Sequence, residues 1–186
     1  MTATTEISSK LTYDDYVNFP NDGKRYEIID GELYVNPSPN MKHQRVLLRL
    51  AVALTTFVEK HHLGEVFVAP FDVVLSEIDV LEPDILFISA ARKNNILTHA
   101  NVQGAPDLVV EVLSAGTRRY DETTKRKRYE HFKVQEYWIV DPIDDSVRIL
   151  RLEGKQYERI IVGGRLTSPL FPGFSLQLKK LFVERV

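Results

Sequence analysis

The segment Leu108-Val109-Val110-Glu111-Val112-Leu113 constrains this chain more than any other. An unbroken, β-branched apolar run of this kind belongs to a strand covered on both faces. Such a strand needs a layer above and a layer below, so the fold is a layered mixture of helices and sheet. The run also carries an acid. A carboxylate inside a buried strand costs several kcal/mol unless a partner compensates it. Glu111 therefore needs a partner, and the rest of the chain must supply it.

Asp84 is the second acid of this type. It opens Asp84-Ile85-Leu86-Phe87-Ile88, again an apolar strand sequence. Two acids from neighbouring strands, opened toward one edge, make a Mg²⁺ site with room for water and phosphate oxygens. A lone buried acid more often bonds to a loop or an arginine, but a pair on apolar strands tips the balance toward a site. Asp107 is a competitor. It shares a strand face with Val109 and Glu111 through the period of two, and Pro106-Asp107 repeats the dipeptide Pro83-Asp84. Asp84 is preferred because two strands converge on one ion better than one strand does. Asp107, ~6–7 Å along the same strand from Glu111, is expected to cap the strand start. On sequence alone both remain candidates.

A helix is expected over 123–133. At about 100° per residue, Asp121, Lys125, Tyr129 and Phe132 share one face. Tyr129 and Phe132 belong in the core, so Lys125 points inward, while Arg126 and Lys127 point to solvent. Lys125 either snorkels or brings its ammonium to the metal site, to stabilise phosphorane-like charge or orient the attacking water. Asp121, four residues before it, also fits a simple surface ion pair. Arg118, Arg119, Arg126, Lys127 and Arg128 make the neighbourhood strongly basic. Such runs are usually solvated faces; one that flanks a phosphodiester site can contact the phosphate backbone.

Other features bound the answer. The 186 residues, 44% hydrophobic and 27% charged, suit one domain with a real core. The expected division is a loose start at 1–10 and a single domain over 11–186. With no cysteine, disulfides, thiolate metal sites and cysteine nucleophiles are excluded, and any metal is held by oxygen or imidazole. The formal net charge of −2 suits an enzyme with a local basic patch better than a DNA-coating protein. The polar start is not a signal peptide, and no stretch approaches the ~20 apolar residues of a membrane helix, so a cytoplasmic location is expected.

Asp30-Gly31 between apolar runs marks a hairpin over 25–35 with a two-residue turn that sets Ile28 against Leu33 and Ile29 against Glu32. Ser38 is expected to cap a helix with Pro39 in its first position and an apolar face of Leu47, Leu50, Ala51, Leu54 and Val58, stopped by Gly64. His43, one turn before Leu47, shares that inward face. Strands are expected over 65–75, 80–88, 108–113 and 136–141, with a hairpin of 147–152 and 157–162. Trp138 is expected in the core. No Gly-x-Ser-x-Gly elbow or His-Glu-x-x-His pair offers another hydrolase.

Taken together, Pro83-Asp84, Glu111 on its strand, Arg25 to Leu33 with Asp30-Gly31, Pro37-Ser38-Pro39 with His43, Gly104 to Ser114 and Glu136 to Pro142 resemble the PD-(D/E)XK nuclease superfamily, and within it the Uma-two family of restriction-endonuclease-like proteins. The resemblance spans most of the chain. It implies a restriction-endonuclease-like core, a mixed four-stranded central sheet flanked by helices, to which the N- and C-terminal hairpins read above are added in an α+β fold. It also implies Mg²⁺- or Mn²⁺-dependent hydrolysis of DNA, with Asp84 and Glu111 as the metal-binding acids. The superfamily lysine is expected two residues after Glu111, where this chain has Leu113. In this branch an Asp-x-x-x-Lys on the following helix takes its place, and Asp121 to Lys125 fits. The inward His43 and Glu32 on the hairpin are the expected helpers at the catalytic centre. A homodimer would suit a duplex substrate. The competing expectation is a nuclease-fold protein without catalysis that binds nucleic acid or a protein partner.

Overall fold

The structure, a computed structural model, describes residues 10–183. The Thr/Ser-rich start lies outside the described residues except for Lys10. Two sheets organise the chain. The central one has six strands in the order β11-β10-β9-β8-β6-β3, namely Gln156–Ile160, Ser146–Glu153, Glu136–Asp141, Leu108–Val112, Ile85–Ser89 and Gly64–Val68. Only β8 and β9 run parallel; the other pairs are antiparallel. The second sheet has the order β2-β1-β5-β4-β7, from Glu32–Asn36, Arg25–Ile29, Asp79–Leu81, Val73–Ser76 and Val102–Gln103. Near the C-terminus β12, Arg165–Leu166, pairs with β13, Leu176–Gln177. No described helix is long and apolar enough to cross a membrane.

The apolar run around Glu111 is the strand its composition implies. All five residues of β8 are buried, with β6 on one side and β9 on the other. One face of the sheet packs on helix α2, Met41–Lys60, through Val46, Leu50, Leu54 and Val58, with Trp138 and Phe171 in the same cluster. The other face buries Val109, Leu113, Tyr129 and Tyr137 against residues of the second sheet such as Ile29 and Val73. The site described below sits where these layers meet.

Several expectations are corrected by the structure. The stretches 65–75 and 80–88 each split into two strands that go to different sheets. Pro70 and Pro83 stand in the breaks, and a residue without an N–H cannot continue a ladder. Asn40 rather than Ser38 caps α2, its side chain accepting the His43 N–H at 2.9 Å, and Pro39 precedes the cap. Val46 joins the buried face of α2, and Leu47 is only partly buried. The helix ends at Lys60, with His62 in the left-handed region, before Gly64. Gly64 instead begins β3, where a Cβ would collide with the Ile88 carbonyl. The hairpin of β1 and β2 has the expected register, Ile28 with Leu33 and Ile29 with Glu32. Asp30 and Gly31 both take positive φ, as that two-residue turn requires.

Candidate active site

The antiparallel ladder of β6 and β8 pairs Ile85 with Val110. The ladder ends there, and Asp84, the residue just before β6, reaches across to β8 with its side chain. Asp84 Oδ2 accepts the Val112 N–H at 2.9 Å and contacts His43 Nε2 at 3.1 Å. Its Oδ1 lies 3.4 Å from an Arg25 amino nitrogen, and Arg25 also pairs with Glu82. Burial alone would push the Asp84 carboxyl up, but the His43, Val112 and Arg25 contacts hold it below the usual carboxylate range.

Lys125 reaches the same place from a helix. Short helices α4, Arg118–Tyr120, and α5, Arg126–His131, flank a π-helical turn at Asp121–Lys125. In a regular α-helix, residues four apart drift by about 40° around the axis. Over Thr117, Asp121, Lys125 and Tyr129 that drift would carry one end of the file away from the core. The wider i→i+5 winding of a π turn offsets it, so Asp121, Lys125 and Tyr129 are all buried. The Lys125 ammonium stands 3.0 Å from Glu111 Oε1, 3.0 Å from Glu27 Oε2 and 3.5 Å from Asp121 Oδ1. The Tyr129 hydroxyl donates to Glu111 Oε1 at 3.1 Å.

The electrostatics follow from this crowding. Glu111 is pushed well above its usual range, first by burial and then by Asp121, Asp84 and Glu27, with Lys125 opposing. Asp121 is raised too, chiefly by burial. Burial disfavours the Lys125 ammonium, but three surrounding carboxylates outweigh it and hold the lysine charged. Three buried carboxylates (Glu27, Glu111 and Asp121) thus surround one buried lysine, with buried Asp84 and its partner Arg25 beside them. Among the described residues, Asp121 Oδ1 and His43 Nδ1 are buried without a hydrogen-bond partner. The cavity they border, shared with Asp84, Glu111 and Lys125, holds about 20 Å³, enough for a water or an ion.

No group of three or more His, Asp or Glu side chains forms a ready-made metal cage among the described residues. The donors present nevertheless fit a hard divalent cation. Mg²⁺ takes one or two protein carboxylates and completes its shell with water and substrate oxygens. The surplus of buried carboxylate, with an orphan oxygen on Asp121, is the setting such a cation relieves.

The other residues singled out from the sequence fall in different places. Glu32 shares the cross-strand face of Glu27 but lies at the turn end of β2, four residues and about 13 Å of strand from Asn36 at the site end. It is exposed, accepts a bond from Tyr34 and does not border the cavity. Asp107 is buried at the far end of β8, held by the Ser89 N–H, Arg92 and Gln135. Arg118 pairs with Asp141 at 2.7 Å, and Arg128 pairs with the buried Asp79, tying the helix to the second sheet. Arg119, Arg126 and Lys127 are exposed. A wider cleft of about 750 Å³ beside Arg118 also takes in Arg148 and Arg159, with Glu122, Asp141 and Asp144 offsetting their charge.

Glu27 and Arg25 were not found by reading the sequence. The signal for Glu27 was present: it is an acid inside Arg25-Tyr26-Glu27-Ile28-Ile29, the same pattern of acid within an apolar strand that marks Asp84 and Glu111.

A mixed sheet flanked by helices, with two strand-borne acids facing a buried lysine at its edge, defines a nuclease fold of the restriction-endonuclease type. Comparison with solved structures agrees: "a putative nuclease belonging to DUF820" from Anabaena variabilis ATCC 29413 superposes with a TM-score of 0.77 at 20% identity, over 92% of this chain and 97% of that one. The chain belongs to the Uma2 family, described as "Putative restriction endonuclease", whose model matches residues 13–179. No curated protein matches it.

Proposed function

We propose that this protein is a divalent-metal-dependent endonuclease that hydrolyses DNA phosphodiester bonds with water as the nucleophile, on a single domain. One observation carries the reading. The buried ammonium of Lys125 stands 3.0 Å from Glu111, on the strand next to Asp84, so two acids and a lysine meet although β8 itself continues with Leu113. Asp84 and Glu111 would hold Mg²⁺ or Mn²⁺. The cation, when bound, polarises the phosphoryl oxygens and makes water a better nucleophile.

The chain's own groups do the rest. Lys125, kept charged by its three carboxylates, supplies a fixed positive charge beside the scissile phosphate, where negative charge grows in the transition state. His43 orients Asp84 through its 3.1 Å contact, and its buried, unbonded Nδ1 is left for proton transfer within the site. Arg126, Lys127 and Arg119, exposed on the helix that carries Lys125, meet the phosphate backbone. A two-fold pair of chains suits a duplex substrate, and sedimentation with and without a duplex tests for it.

The direct experiment is nicking of supercoiled plasmid with Mg²⁺ or Mn²⁺, comparing wild type with Asp84→Ala and Glu111→Ala. Metal-dependent nicking by wild type alone is expected. Equal products from all three proteins would overturn the reading. Salt-dependent DNA binding without any nicking would favour a nuclease-fold binding protein instead.

A further inference from the structure

We infer that Glu27 is a positioning residue: from the second sheet, its carboxylate fixes the direction in which the Lys125 ammonium points. The inference deepens the nuclease reading and rests on it. Glu27 is fully buried, and both of its oxygens are engaged. Oε1 accepts the Glu82 N–H at 2.8 Å; Oε2 accepts Asn36 Nδ2 at 2.7 Å and meets Lys125 at 3.0 Å. The anchor points are backbone of the segment leading into Asp84 and a side chain of β2. Glu27 therefore spans the strand carrying one metal-site acid, the hairpin and the catalytic lysine.

Neutralising Lys125 does not require this arrangement, because Glu111 already lies at 3.0 Å. A second fully buried carboxylate adds desolvation cost, and buried ion clusters rarely repay that cost in stability. The gain is geometric. An ammonium has three N–H donors at tetrahedral angles to one another, so fixing two of them fixes the third. With a hydrogen bond to Glu111 and the Glu27 carboxylate 3.0 Å away on another side, a donor is left toward Asp121 Oδ1, itself 3.5 Å away and unbonded, beside the small cavity. That donor is the one free to meet a phosphate oxygen or the attacking water. Two short contacts from two different sheets hold it there.

The test compares Glu27→Gln, Glu27→Asp, Lys125→Met and the Glu27→Gln/Lys125→Met double variant, with circular dichroism to check folding. Single-turnover nicking by Glu27→Gln should fall about 10–100-fold, the scale on which a misplaced catalytic group slows a reaction, while DNA Kd changes less than threefold. Glu27→Asp, which keeps the charge but withdraws it by one methylene, should remain impaired. The loss should vanish in the Lys125→Met background, because a residue acting through Lys125 has nothing left to act on. A second readout is independent of cleavage. The ¹⁵Nζ resonance of Lys125, assigned by its absence from Lys125→Met, should be slowly exchanging in wild type and broadened in Glu27→Gln. Cleavage by Glu27→Gln within twofold of wild type, or an equal loss with and without Lys125, would overturn the inference and leave the nuclease reading intact. If wild type does not nick, the nuclease reading falls and the resonance alone decides: unchanged in Glu27→Gln, it overturns the positioning role.

Discussion

The two ends of β8 bury acids under similar conditions and use them differently. At the start, Asp107 meets a backbone N–H, the Arg92 guanidinium and the Gln135 amide, so its oxygens are satisfied by donors. At the other end, Glu111 meets Lys125 and Tyr129 but also faces Asp84, Asp121 and Glu27, and it is pushed well above its usual range. Both aspartates follow a proline, in Pro83-Asp84 and Pro106-Asp107. What separates a latch from a reactive centre is therefore the neighbour count of each sign. Donors saturate the first; surplus acid loads the second.

The sharpest way to break this contrast is to delete one acid at each end. Asp84→Ala or Glu111→Ala should lower metal-dependent nicking by on the order of 10³-fold, the scale of removing a group that stabilises transition-state charge. Asp107→Ala should leave the rate per folded molecule near wild type but cost about 2–3 kcal/mol in urea unfolding, since it strands partners of a charged hydrogen bond. Similar losses of activity at both ends would erase the distinction.

The loaded end should also show itself in stability. Glu111 has its folded pKa raised above the ordinary 4.5, so it favours folding below that value and withdraws this contribution as pH rises through the folded pKa. Metal-free protein should accordingly lose stability from this group between acid and neutral pH, and Glu111→Gln should flatten that part of the profile. At neutral pH, Mg²⁺ or Mn²⁺ at a hundred times Kd should add about 2.7 kcal/mol, or about 5–10 °C in Tm for a chain of this size. Asp84→Ala should abolish the shift, and Asp107→Ala should keep it.

Smaller effects test the periphery. Arg126→Ala and Lys127→Ala should each reduce the salt slope of DNA binding by about one, with little change in cleavage once DNA is saturating. Glu32→Ala should alter nicking less than about twofold, because its carboxylate lies at the turn end of the hairpin; a larger loss would bring that edge of the molecule into the reaction.

Much of this was legible before any coordinates. The unbroken apolar strands with embedded acids identified β6 and β8, and the inward parity of Lys125 put it on the correct helix face. Asn40 was missed as a cap because Ser38-Pro39 offered a competing start of similar strength. The splitting of 65–75 and 80–88 was missed because apolar patterning continues through each break and only Pro70 and Pro83 mark it. Beyond the β1–β2 hairpin the second sheet was not legible, since what joins that hairpin to the rest is a pairing of segments remote in sequence, Ile28 with Val80. Glu27 carried the mark of a buried acid, but its meaning depends on Lys125, which only the docking of that sheet brings near.

That docking has a consequence for how the proposed site comes into being. Lys125 can be desolvated only where β1, β8 and the π-helical turn already meet, and β1 lies far along the chain from the other two. Contacts of such long range are closed late, after local hairpins and helices have formed. A half-folded chain would hold its acids and its lysine apart in water, chemically mute. The proposed site is therefore complete only when the whole molecule is assembled.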